Sequence, residues 1–466
     1  MREGLAHEAV GPNRRVRRAL AALAGLLAVL AVPLAESIAK KGEAELVSRQ
    51  SKNAGAMAAN GDSRGPVISA NGRFAAYASV ATNLGGPAAA VRNVYVYDRT
   101  KKRVSLVSRQ SKSAGGQGGD SDSDGPALST NGRFVAFNTD ATNLGGPGGI
   151  ADKVYVYDRK KKRVVLVSRQ SKSAGGDLAD GNSLSGGISG DGRYVAFRTP
   201  ADNLGGPINP VAGNVYVYDR RLKKVSLVSR RSKAKNGKGH NGQIPTGLQI
   251  SSSGRYVAFP SSATNLVPAA KNVDNCYVYD RKAKVVELVS RRSKSAGGAG
   301  ANDDCFNPSI SANGRYVAIN TSATNLGGDN APGKGKIYVY DRKLDRIQLV
   351  SRRSKNGPAA DGFSEIGSIS ANGRFVGFTT AADNLGGPIN PAFQQSYVYD
   401  RKQGRARLVS RRSKSIGGGA ANGSSFHPAP TAEGRLVAFA TNATNLGGPV
   451  VMAPEQVYVF DLLGPG

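Results

Sequence analysis

The sequence predicts an all-β protein, a seven-bladed β-propeller of four-stranded antiparallel blades. Four motifs, N-G-R-F, A-T-N-L-G-G-P, Y-V-Y-D-R and L-V-S-R-x-S-K, return along the 466-residue chain at an interval of about 60 residues, which indicates a repeat architecture. Short β-branched runs alternate with turn residues, as in all-β proteins. The first and last units are fragments that complement each other, because Ala44–Arg49 carries only the fourth motif and the last unit ends at Asp461 without it. A ring whose last blade takes one strand from the N-terminus explains this arrangement better than an open solenoid with capping repeats.

One unit shows how each blade is expected to form. Gly125–Ser129 is the first strand, and Asn131-Gly132 predicts the tight turn that follows it. Arg133–Phe137 is the second strand, Lys153–Asp158 the third and Arg163–Arg169 the fourth. The strands are apolar on both faces, as expected for sheets that lie between neighbouring sheets. Adding the Ala44–Arg49 strand to the last blade also protects the edge where the chain ends meet.

The units resemble the TolB-like, WD-like β-propeller repeats of bacterial envelope and secreted proteins. Ser189-Gly190-Asp191-Gly192-Arg193-Tyr194-Val195-Ala196-Phe197 is the copy most similar to the first motif of that family. The resemblance covers residues 44–461 and implies the propeller fold, but it implies no activity, since this repeat hosts unrelated functions. The separate N-terminal domain of TolB has no counterpart here, which argues against a direct TolB role, and the A-T-N-L loop continues as G-G-P where relatives often carry acidic residues.

The N-terminus predicts a secretory signal peptide. Arg14, Arg15, Arg17 and Arg18 precede an uncharged apolar run, Ala19–Ala35, and small residues follow it. We expect a signal over residues 1–39, with cleavage near Ala35 or Ala39, and a single propeller domain over 40–466. The apolar run is short for a membrane-spanning helix, so an uncleaved anchor is the alternative. The protein is expected to be secreted or extracytoplasmic.

The chain is strongly basic, with a formal net charge of +31, which favours anionic partners. The basic residues flank the fourth strand of each unit and predict a positive belt around the rim of the ring. An anionic cell-envelope polymer and a merely solvated rim both remain open as interpretations. Nucleic acid is not an expected partner, because no aromatic residues interleave with the basic ones. The protein is expected to be a monomer. The representative rim residues are Lys160, Lys161, Lys162, Arg230, Arg231, Arg291 and Arg292.

Residues that recur in every unit are expected to build the blade rather than a site. An Asp ends each third strand, and we expect it to bond a turn or to pair with the arginines of its blade. An Asn in each A-T-N-L or equivalent motif is expected to close a loop. These residues are Asp98, Asp158, Asp219, Asp280, Asp341, Asp400 and Asp461, and Asn83, Asn143, Asn203, Asn265, Asn325, Asn384 and Asn445.

Two unrepeated features suggest specific chemistry. Asp120, Asp122 and Asp124 match the opening of a calcium loop, D-x-D-x-D-G. The twelfth position is Asn131 rather than Glu, so a solvated polar loop is the favoured interpretation and no metal is expected. Cys276 and Cys305 lie near one face of the ring and suit a disulfide between blades, with Cys305 in a loop. Two unpaired cysteines are the favoured alternative, since sequence does not give the geometry.

The apolar, variable tips of the connections between second and third strands are the predicted binding surface, because variable loops on a rigid scaffold commonly bind ligands. Simple loop packing is the alternative. The residues proposed for this loop face are Val91, Ile208, Ile389, Phe393, Val211, Val451 and Met452.

No nucleophile elbow, metal spacing or phosphate loop accompanies the few histidines, of which His240 and His427 lie in loops. We therefore expect a non-enzymatic binding or scaffold module, without cofactor, for a protein or glycan. The alternative is an extracytoplasmic glycan hydrolase or lyase with carboxylates at the mouth of the central channel. Its candidate residues are Asp62, Asp122, Asp124, Asp304 and Glu365.

Overall fold

The computed structural model describes residues 42–87, 91–146, 151–209, 212–270, 272–328, 335–449 and 455–462. All of them belong to one unit, Ser37–Gly466. Within the described ranges the chain forms 28 β-strands, which pair into seven four-stranded antiparallel sheets. These sheets are the seven blades of a β-propeller, and the predicted fold class is confirmed.

Each blade contains a first, second, third and fourth strand in chain order. The first strands are β2 (Ser63–Ile68), β6 (Ser123–Leu128), β10 (Leu184–Ile188), β14 (Gln249–Ile250), β18 (Cys305–Ile310), β22 (Ser364–Ile369) and β26 (Ser425–Pro430). The second strands are β3 (Phe74–Ser79), β7 (Phe134–Thr139), β11 (Tyr194–Thr199), β15 (Tyr256–Ser261), β19 (Tyr316–Thr321), β23 (Phe375–Thr380) and β27 (Leu436–Thr441).

The outer half of each blade follows the same order. The third strands are β4 (Asn93–Asp98), β8 (Lys153–Asp158), β12 (Asn214–Asp219), β16 (Asn275–Asp280), β20 (Lys336–Asp341), β24 (Gln395–Asp400) and β28 (Gln456–Asp461). The fourth strands are β5 (Arg103–Leu106), β9 (Arg163–Leu166), β13 (Lys224–Leu227), β17 (Val285–Leu288), β21 (Arg346–Leu349), β25 (Arg405–Leu408) and, for blade 7, β1 (Ala44–Leu46). Short 3₁₀ turns lie at Lys52–Ala54, Lys112–Ala114, Lys172–Ala174, Lys233–Lys235, Lys294–Ala296 and Lys414–Ile416.

The N-terminal strand closes the ring. β1 pairs antiparallel with β28, so that Ala44 lies opposite Phe460 and Leu46 opposite Tyr458. β2 of blade 1 packs against β27 of blade 7. The strand predicted to complete the last blade therefore does so, and the last blade is built from both ends of the chain.

Strand ends differ from the predicted ones in a regular way. β6 begins at Ser123 rather than Gly125, because Ser123 and Asp124 pair with β7 before the register shifts at a bulge. β9 ends at Leu166 rather than Arg169, because the amides of Val167 and Ser168 both turn toward the carbonyl of Val154. The second strand is displaced toward its C-terminal end, to Phe134–Thr139.

The fourth motif covers the edge of the neighbouring blade. The hydroxyl of Ser111 accepts a hydrogen bond of 3.0 Å from the amide of Val164 in β9, and the amide of Lys112 donates to the carbonyl of Lys162 at 2.8 Å. An outer strand left bare would offer its main chain to other molecules. Equivalent serine bonds join Ser51 to Val104, Ser171 to Val225, Ser232 to Val286, Ser293 to Ile347 and Ser413 to Ala44.

The hydrophobic core lies between the blades. Ala136, Val154 and Val156 of blade 2 pack against Phe197 and Tyr216 of blade 3 in one buried cluster. Each of the larger apolar side chains, such as Val154 or Phe197, contributes roughly 2 kcal/mol by leaving water. Because every sheet contacts a neighbour on both faces, strands that are apolar on both faces are the pattern that this fold requires.

Among the described residues, no helix has the length and hydrophobicity needed to cross a membrane. The signal peptide predicted within residues 1–39 lies outside the described residues and stays a prediction.

Candidate ligand-binding face

The two ends of the blades carry different residues. At one end, a tight turn such as Asn131-Gly132 joins the first and second strands, and we name it the turn end. At the other, the first strands begin and the connections between second and third strands lie, and we name it the mouth end. The first strands surround the central channel, which encloses a cavity of about 230 Å³ lined by residues such as Ile188 and Ile250.

Main-chain hydrogen bonds join successive blades around the channel at the turn end. The amide of Ala70 donates to the carbonyl of Thr130, Thr130 donates to Gly190, and Gly190 donates to Ser252, at 3.1, 3.0 and 2.8 Å. The amide of Ala432 in the last blade donates to Ala70 and continues this series across the point of ring closure. These bonds surround the channel and tie successive blades to one another.

Every blade carries an arginine–aspartate pair at the turn end. Two guanidinium nitrogens of Arg133 donate to the two carboxylate oxygens of Asp158, at 2.9 and 2.7 Å. Burial alone would raise the pKa of Asp158, but the hydrogen bond from Arg133 and those from main-chain amides outweigh it and lower the pKa below its usual range. The other pairs are Arg73–Asp98, Arg193–Asp219, Arg255–Asp280, Arg315–Asp341, Arg374–Asp400 and Arg435–Asp461.

A second arginine joins neighbouring blades. The ring of Phe134 lies between the guanidinium groups of Arg133, at 4.7 Å, and Arg220 of the next blade, at 4.6 Å. Arg220 also donates to the carbonyl of Gly192 at 2.5 Å. Gly192 has φ of +74°, and a Cβ there would lie 2.1 Å from the Phe134 ring, so only glycine fits. Equivalent stacks place Arg159 over Phe74, Arg281 over Tyr194, Arg342 over Tyr256 and Arg401 over Tyr316.

The repeated asparagines close loops. The side-chain amide of Asn143 donates to the carbonyl of Gly118 at 2.9 Å, and so ties the connection after β7 to the segment before β6. Asn83, Asn203, Asn265, Asn325, Asn384 and Asn445 make the same bond. The prediction that the repeated Asp and Asn residues build the blades is therefore confirmed.

At the mouth end the blades diverge. The first strands of six blades shift register near their start, and bulges of this kind re-aim side chains. The residue that begins the channel wall differs from blade to blade, and we name this set the mouth ring. Its members are Arg64, Asp124, Leu184, Thr246, Phe306, Glu365 and Phe426.

Blades 1 and 2 form a charged sector of the mouth. Arg64 makes an ion pair with Asp124 of the next blade. Arg92 lies 3.8 Å from Asp124 and 3.4 Å from Asp122. All four side chains are partly solvent-exposed, so each of these ion pairs adds little stability.

A glutamate with an unusual pKa lies beside this sector. The amide of Glu455 donates to the carboxylate of Asp62 at 2.9 Å. Burial, with the added repulsion of Asp62, raises the pKa of Glu455 to about 7 although Arg64 opposes the change. The Glu455 carboxyl is therefore able to gain or lose a proton near neutral pH.

Blades 5, 6 and 7 form an aromatic sector. Phe306 and Phe363 expose 40% and 50% of their surface, which is unusual for phenylalanine, and Phe426 is half-buried. His427 follows Phe426 with φ of +51° and is exposed. These three neighbouring blades thus present apolar rings to solvent where blades 1 and 2 present charge.

The carboxylates predicted for a glycan-active enzyme have mostly structural partners. Asp62, Asp122 and Asp304 each accept a main-chain amide of the preceding blade, at 2.7–2.9 Å. Asp124 pairs with Arg64. Glu365 is exposed. Phe363 occupies the equivalent amide-accepting position in blade 6, so its ring replaces a structural contact.

The candidate calcium loop has separate partners for its carboxylates. Asp120 accepts hydrogen bonds from the amide and the hydroxyl of Thr142, whereas Asp122 and Asp124 accept from arginines. Within the described residues, no group of three or more His, Cys, Asp or Glu side chains is arranged to hold a metal ion. Asp120, Asp122 and Asp124 thus accept hydrogen bonds from side chains of three different residues.

The two cysteines form a disulfide. Cys276 in β16 of blade 4 bonds Cys305 in blade 5, with their Cα atoms 5.6 Å apart. Both are fully buried, and Cys305 begins β18 rather than lying in a loop. The favoured interpretation as unpaired cysteines was wrong, because the register that places the third strand beside the first strand of the next blade is not visible in the sequence.

The predicted loop-face residues are divided. Ile208 and Ile389 pack against the buried clusters of their blades, while Val91 and Phe393 are half-buried. The remaining three, Val211, Val451 and Met452, lie outside the described residues. Ile208 and Ile389 thus contribute to loop packing, and a binding role of the loop tips stays a prediction.

The predicted basic residues lie at two kinds of position. Lys160, Lys161, Lys162 and Arg292 are exposed, and Arg231 is half-buried. Arg230 lines a cleft between blades 3 and 4, whereas Arg291 pairs with Asp345. The rim is therefore a series of clefts between blades rather than a uniform belt.

His240, unlike His427, is buried. Its Nε2 lies 3.1 Å from the carbonyl of Gly213 and 3.2 Å from the side-chain oxygen of Asn214. Burial lowers the pKa of His240, which favours the neutral ring as part of the blade core.

No protein-family model matches the chain, and no curated protein matches it. Its similarity to known proteins is seen in solved structures. The β-propeller domain of the trilobed protease from Pyrococcus furiosus, described as having an open velcro topology, has a TM-score of 0.50 and 10% identity, over 86% of this chain and 95% of that domain. In the present chain the ring is instead closed by β1.

Longer proteins match as well. A prolyl endopeptidase structure has a TM-score of 0.51 and 12% identity, over 97% of this chain and 54% of that one. TolB from Acinetobacter baumannii has a TM-score of 0.37 and 13% identity, over 68% of this chain. The chain spans 61% of that TolB. These structures include TolB proteins and enzymes, and what they share with this chain is the propeller fold.

Sequence reasoning did not select Glu455, Phe306, Phe363 or Phe426. Phe306, Phe363 and Phe426 could have been found by comparing the repeats, since each stands at a position where other blades carry a different residue type. Glu455 carries no such signal, because its pKa depends on neighbours brought together by ring closure.

Proposed function

We propose that this propeller is a binding module and that its mouth end contacts a protein ligand through the aromatic sector. The observation that supports this is the set of exposed rings at Phe306 and Phe363, with Phe426 beside them, on blades that keep the turn-end arginine–aspartate pair. Exposed aromatic residues are enriched at the centres of protein interfaces. The charged sector on blades 1 and 2 supplies polar contacts that orient such a ligand.

The test is capture of envelope proteins by the full chain and by two variants. Phe306→Ser with Phe363→Ser removes the aromatic sector, and we expect the captured protein to be lost. Lys160→Ser with Lys161→Ser changes two exposed residues at the turn between third and fourth strands, away from the mouth, and should leave capture unchanged.

Two results would contradict the proposal. Equal capture by wild type and by the Phe306/Phe363 variant would remove the aromatic sector as the binding surface. A ligand that proves to be a glycan, bound in a glycan array and lost in the same variant, would replace the protein ligand while keeping the site.

A glycan-active enzyme is the second candidate function, and Glu455 is the observation that favours it. A carboxyl with a pKa of about 7 beside Asp62 suits proton transfer at neutral pH. Incubation with acidic and neutral polysaccharides should then release reducing ends or unsaturated products. Activity lost in Glu455→Gln would establish the enzyme, whereas activity retained in that variant would exclude Glu455 as the proton-transfer group.

A further inference from the structure

The clefts between blades on the rim differ in whether the chain fills them with its own carboxylate. In each of six blades an arginine follows the last residue of the third strand and reaches toward the fourth strand of the preceding blade. In the cleft between blades 7 and 1, Arg99 meets Glu45 of β1, with Nε and Nη2 at 2.8 and 2.7 Å from one carboxylate oxygen. In the cleft between blades 4 and 5, Arg342 meets Glu287 of β17 at 2.8 Å from both nitrogens.

The strand register shows that the other clefts lack this carboxylate. Glu45 and Glu287 lie opposite a valine of the third strand, Val459 and Val278. The residues in the same register position of the other blades are Ser105, Val165, Ser226, Gln348 and Arg407. Ser105, Val165, Ser226 and Gln348 face arginines of the next blade, and these arginines therefore have no acidic partner from the fourth strand.

The arginines without a carboxylate are held in place by other contacts. Arg159 stacks on Phe74 at 4.2 Å and donates to the carbonyl of Gly132 at 2.7 Å. Burial lowers the pKa of Arg159 and Arg281. In the part of the chain that the structure describes, the buried Nε atoms of Arg220 and Arg401 have no hydrogen-bond acceptor. Arg220 and Arg401 belong to the clefts between blades 2 and 3 and between blades 5 and 6, whereas Arg159 and Arg281 each donate one Nη1 to a carbonyl and face no carboxylate of the fourth strand. All four guanidinium groups are thus held in place without an acidic partner from that strand.

Further cations surround two of these arginines. A cavity of about 680 Å³ between blades 1 and 2, which we name cleft 1–2, has no acidic residue among its described lining residues. Cleft 3–4, of about 360 Å³, has the same character. The cations are Arg103, Arg109, Lys112, Arg159 and Lys162 in cleft 1–2, and Lys224, Arg230, Lys233, Arg281 and Lys284 in cleft 3–4.

The cleft between blades 4 and 5 provides an internal comparison. There Asp345 stands where cleft 3–4 has Lys284, and Arg291 donates to Asp345 and, at 2.7 Å, to the hydroxyl of Tyr340. With Glu287, the chain supplies two carboxylates to that cleft. Cleft 1–2 and cleft 3–4 keep the same donors and supply none.

We propose that clefts 1–2 and 3–4 are carboxylate-binding sites and that their occupant is an acidic polypeptide. The chain's own solution to the same geometry is a glutamate side chain, which the arginine binds through two nitrogens. Two clefts on one rigid ring allow one acidic chain to bind both, which multiplies its affinity. This proposal is independent of ligand binding at the mouth.

The test measures binding of fluorescein-labelled poly-L-glutamate to the full chain by fluorescence anisotropy at fixed salt. Ser105→Glu with Ser226→Glu places in both clefts the carboxylate found at Glu45 and Glu287. We expect affinity to fall by about tenfold or more, since each filled cleft loses a charge-assisted contact, while the melting temperature does not fall. Ser105→Gln with Ser226→Gln should keep wild-type affinity.

Two further variants make the test specific to the clefts. Lys160→Gln with Lys161→Gln lowers the net charge by the same amount outside the cleft linings, and we expect a much smaller loss of affinity. Glu287→Ser with Asp345→Lys removes both carboxylates from the cleft between blades 4 and 5 and installs the residues that cleft 3–4 carries as Ser226 and Lys284. This variant should raise affinity severalfold.

The proposal is overturned if the Ser105/Ser226 glutamate variant binds poly-L-glutamate as wild type does, or loses no more than the Lys160/Lys161 variant. Polygalacturonate serves as a second probe at equal carboxylate concentration. If it binds more tightly than poly-L-glutamate and shows the same loss, an acidic polypeptide is the wrong occupant.

Discussion

The turn end and the mouth end of this ring are made by the same seven repeats, but the mouth ring differs from blade to blade whereas the turn end does not. At the turn end every blade pairs Arg with Asp, and in five neighbouring pairs an aromatic ring lies beneath an arginine of the next blade. At the mouth end the equivalent positions range from Arg64 to Phe426. The difference teaches that residues repeated in every blade hold the blades together. Residues that differ between blades form the surface available to other molecules.

The physical reason is the number of neighbours. A turn-end residue such as Phe134 contacts its own blade and the next one, so a change there disturbs two sheets. A mouth-ring side chain such as Phe306 faces solvent over much of its surface, so blade packing does not restrict which residue type occupies that position.

The largest change in stability is expected from the disulfide, which joins two blades covalently at the mouth end. Cys276→Val with Cys305→Ser installs the residues that blades 2 and 3 carry as Val154 and Ser183. Loss of a cross-link between positions 29 residues apart should lower the free energy of unfolding by about 3 to 4 kcal/mol. Denaturant unfolding measures this, and reductant should lower wild-type stability but leave the variant unchanged. A wild-type stability that reductant does not alter would contradict the prediction.

Two glycines of blade 5 compare the ends directly. Gly314 at the turn end has φ of +74°, and an added Cβ would lie 2.1 Å from the ring of Tyr256. Gly327 at the mouth end has φ of +87° and open space around it. We expect Gly314→Ala to destabilise the protein by about 3 kcal/mol, from backbone strain and overpacking, and Gly327→Ala by about 1 kcal/mol from strain alone. Equal losses in thermal unfolding would mean that the turn end is no more tightly packed than the mouth.

Two phenylalanines test whether aromatic residues have different tasks at the two ends. Phe134→Ala removes a ring held between two arginines and partly packed in the core, and we expect a loss of about 2 kcal/mol. Phe363→Ala removes an exposed ring, and the loss should stay within about 0.5 kcal/mol. Urea denaturation compares them. A large loss at Phe363 would assign that ring to stability instead of binding.

The smallest effect concerns the proton on Glu455. Its pKa of about 7 in the folded protein lies above the value of about 4.3 of an unfolded chain, so the folded state holds the proton more tightly. Stability should therefore fall as pH rises from about 4.3 to 7. Above pH 7 we expect Glu455→Gln to be more stable than wild type by about 1 kcal/mol, after allowance for solvent screening.

Melting curves of wild type and Glu455→Gln across this pH range provide the measurement. Glu365→Gln, which changes an exposed carboxyl of the same end, is the control. If the difference between wild type and Glu455→Gln does not grow with pH, the carboxyl is not held in its protonated form by folding.

The sequence predicted the fold because its evidence is repeated seven times. Blade count, four strands per blade and closure by the predicted Ala44–Arg49 strand, of which Ala44–Leu46 forms β1, all follow from the spacing of motifs. The structural role of Asp158 and Asn143 followed from the same repetition. Strand ends were less accurate, since the bulge near Asp124 depends on the local geometry of paired strands and leaves no mark in the motif.

The candidate surfaces were less visible in the sequence. Asp62, Asp122 and Asp304 stood out as carboxylates but accept main-chain amides of the preceding blade. Phe363 did not stand out, although it takes the place of such a contact. The sequence shows that Phe363 differs from its counterparts in other blades. The consequence of that difference depends on which main-chain amide the counterpart residue contacts, and only the structure shows this contact.

By itself the sequence determined the architecture of this protein, because a period of about 60 residues with four apolar strands per unit has few solutions other than a closed ring. Tertiary structure alone decided which side chains meet across blades. The disulfide of Cys276 and Cys305, the proton affinity of Glu455 and the arginine clefts that either contain or lack a glutamate all depend on contacts between different repeats. Such contacts are set by the angle and register of one sheet against the next, and these are properties of the packed ring rather than of any one repeat.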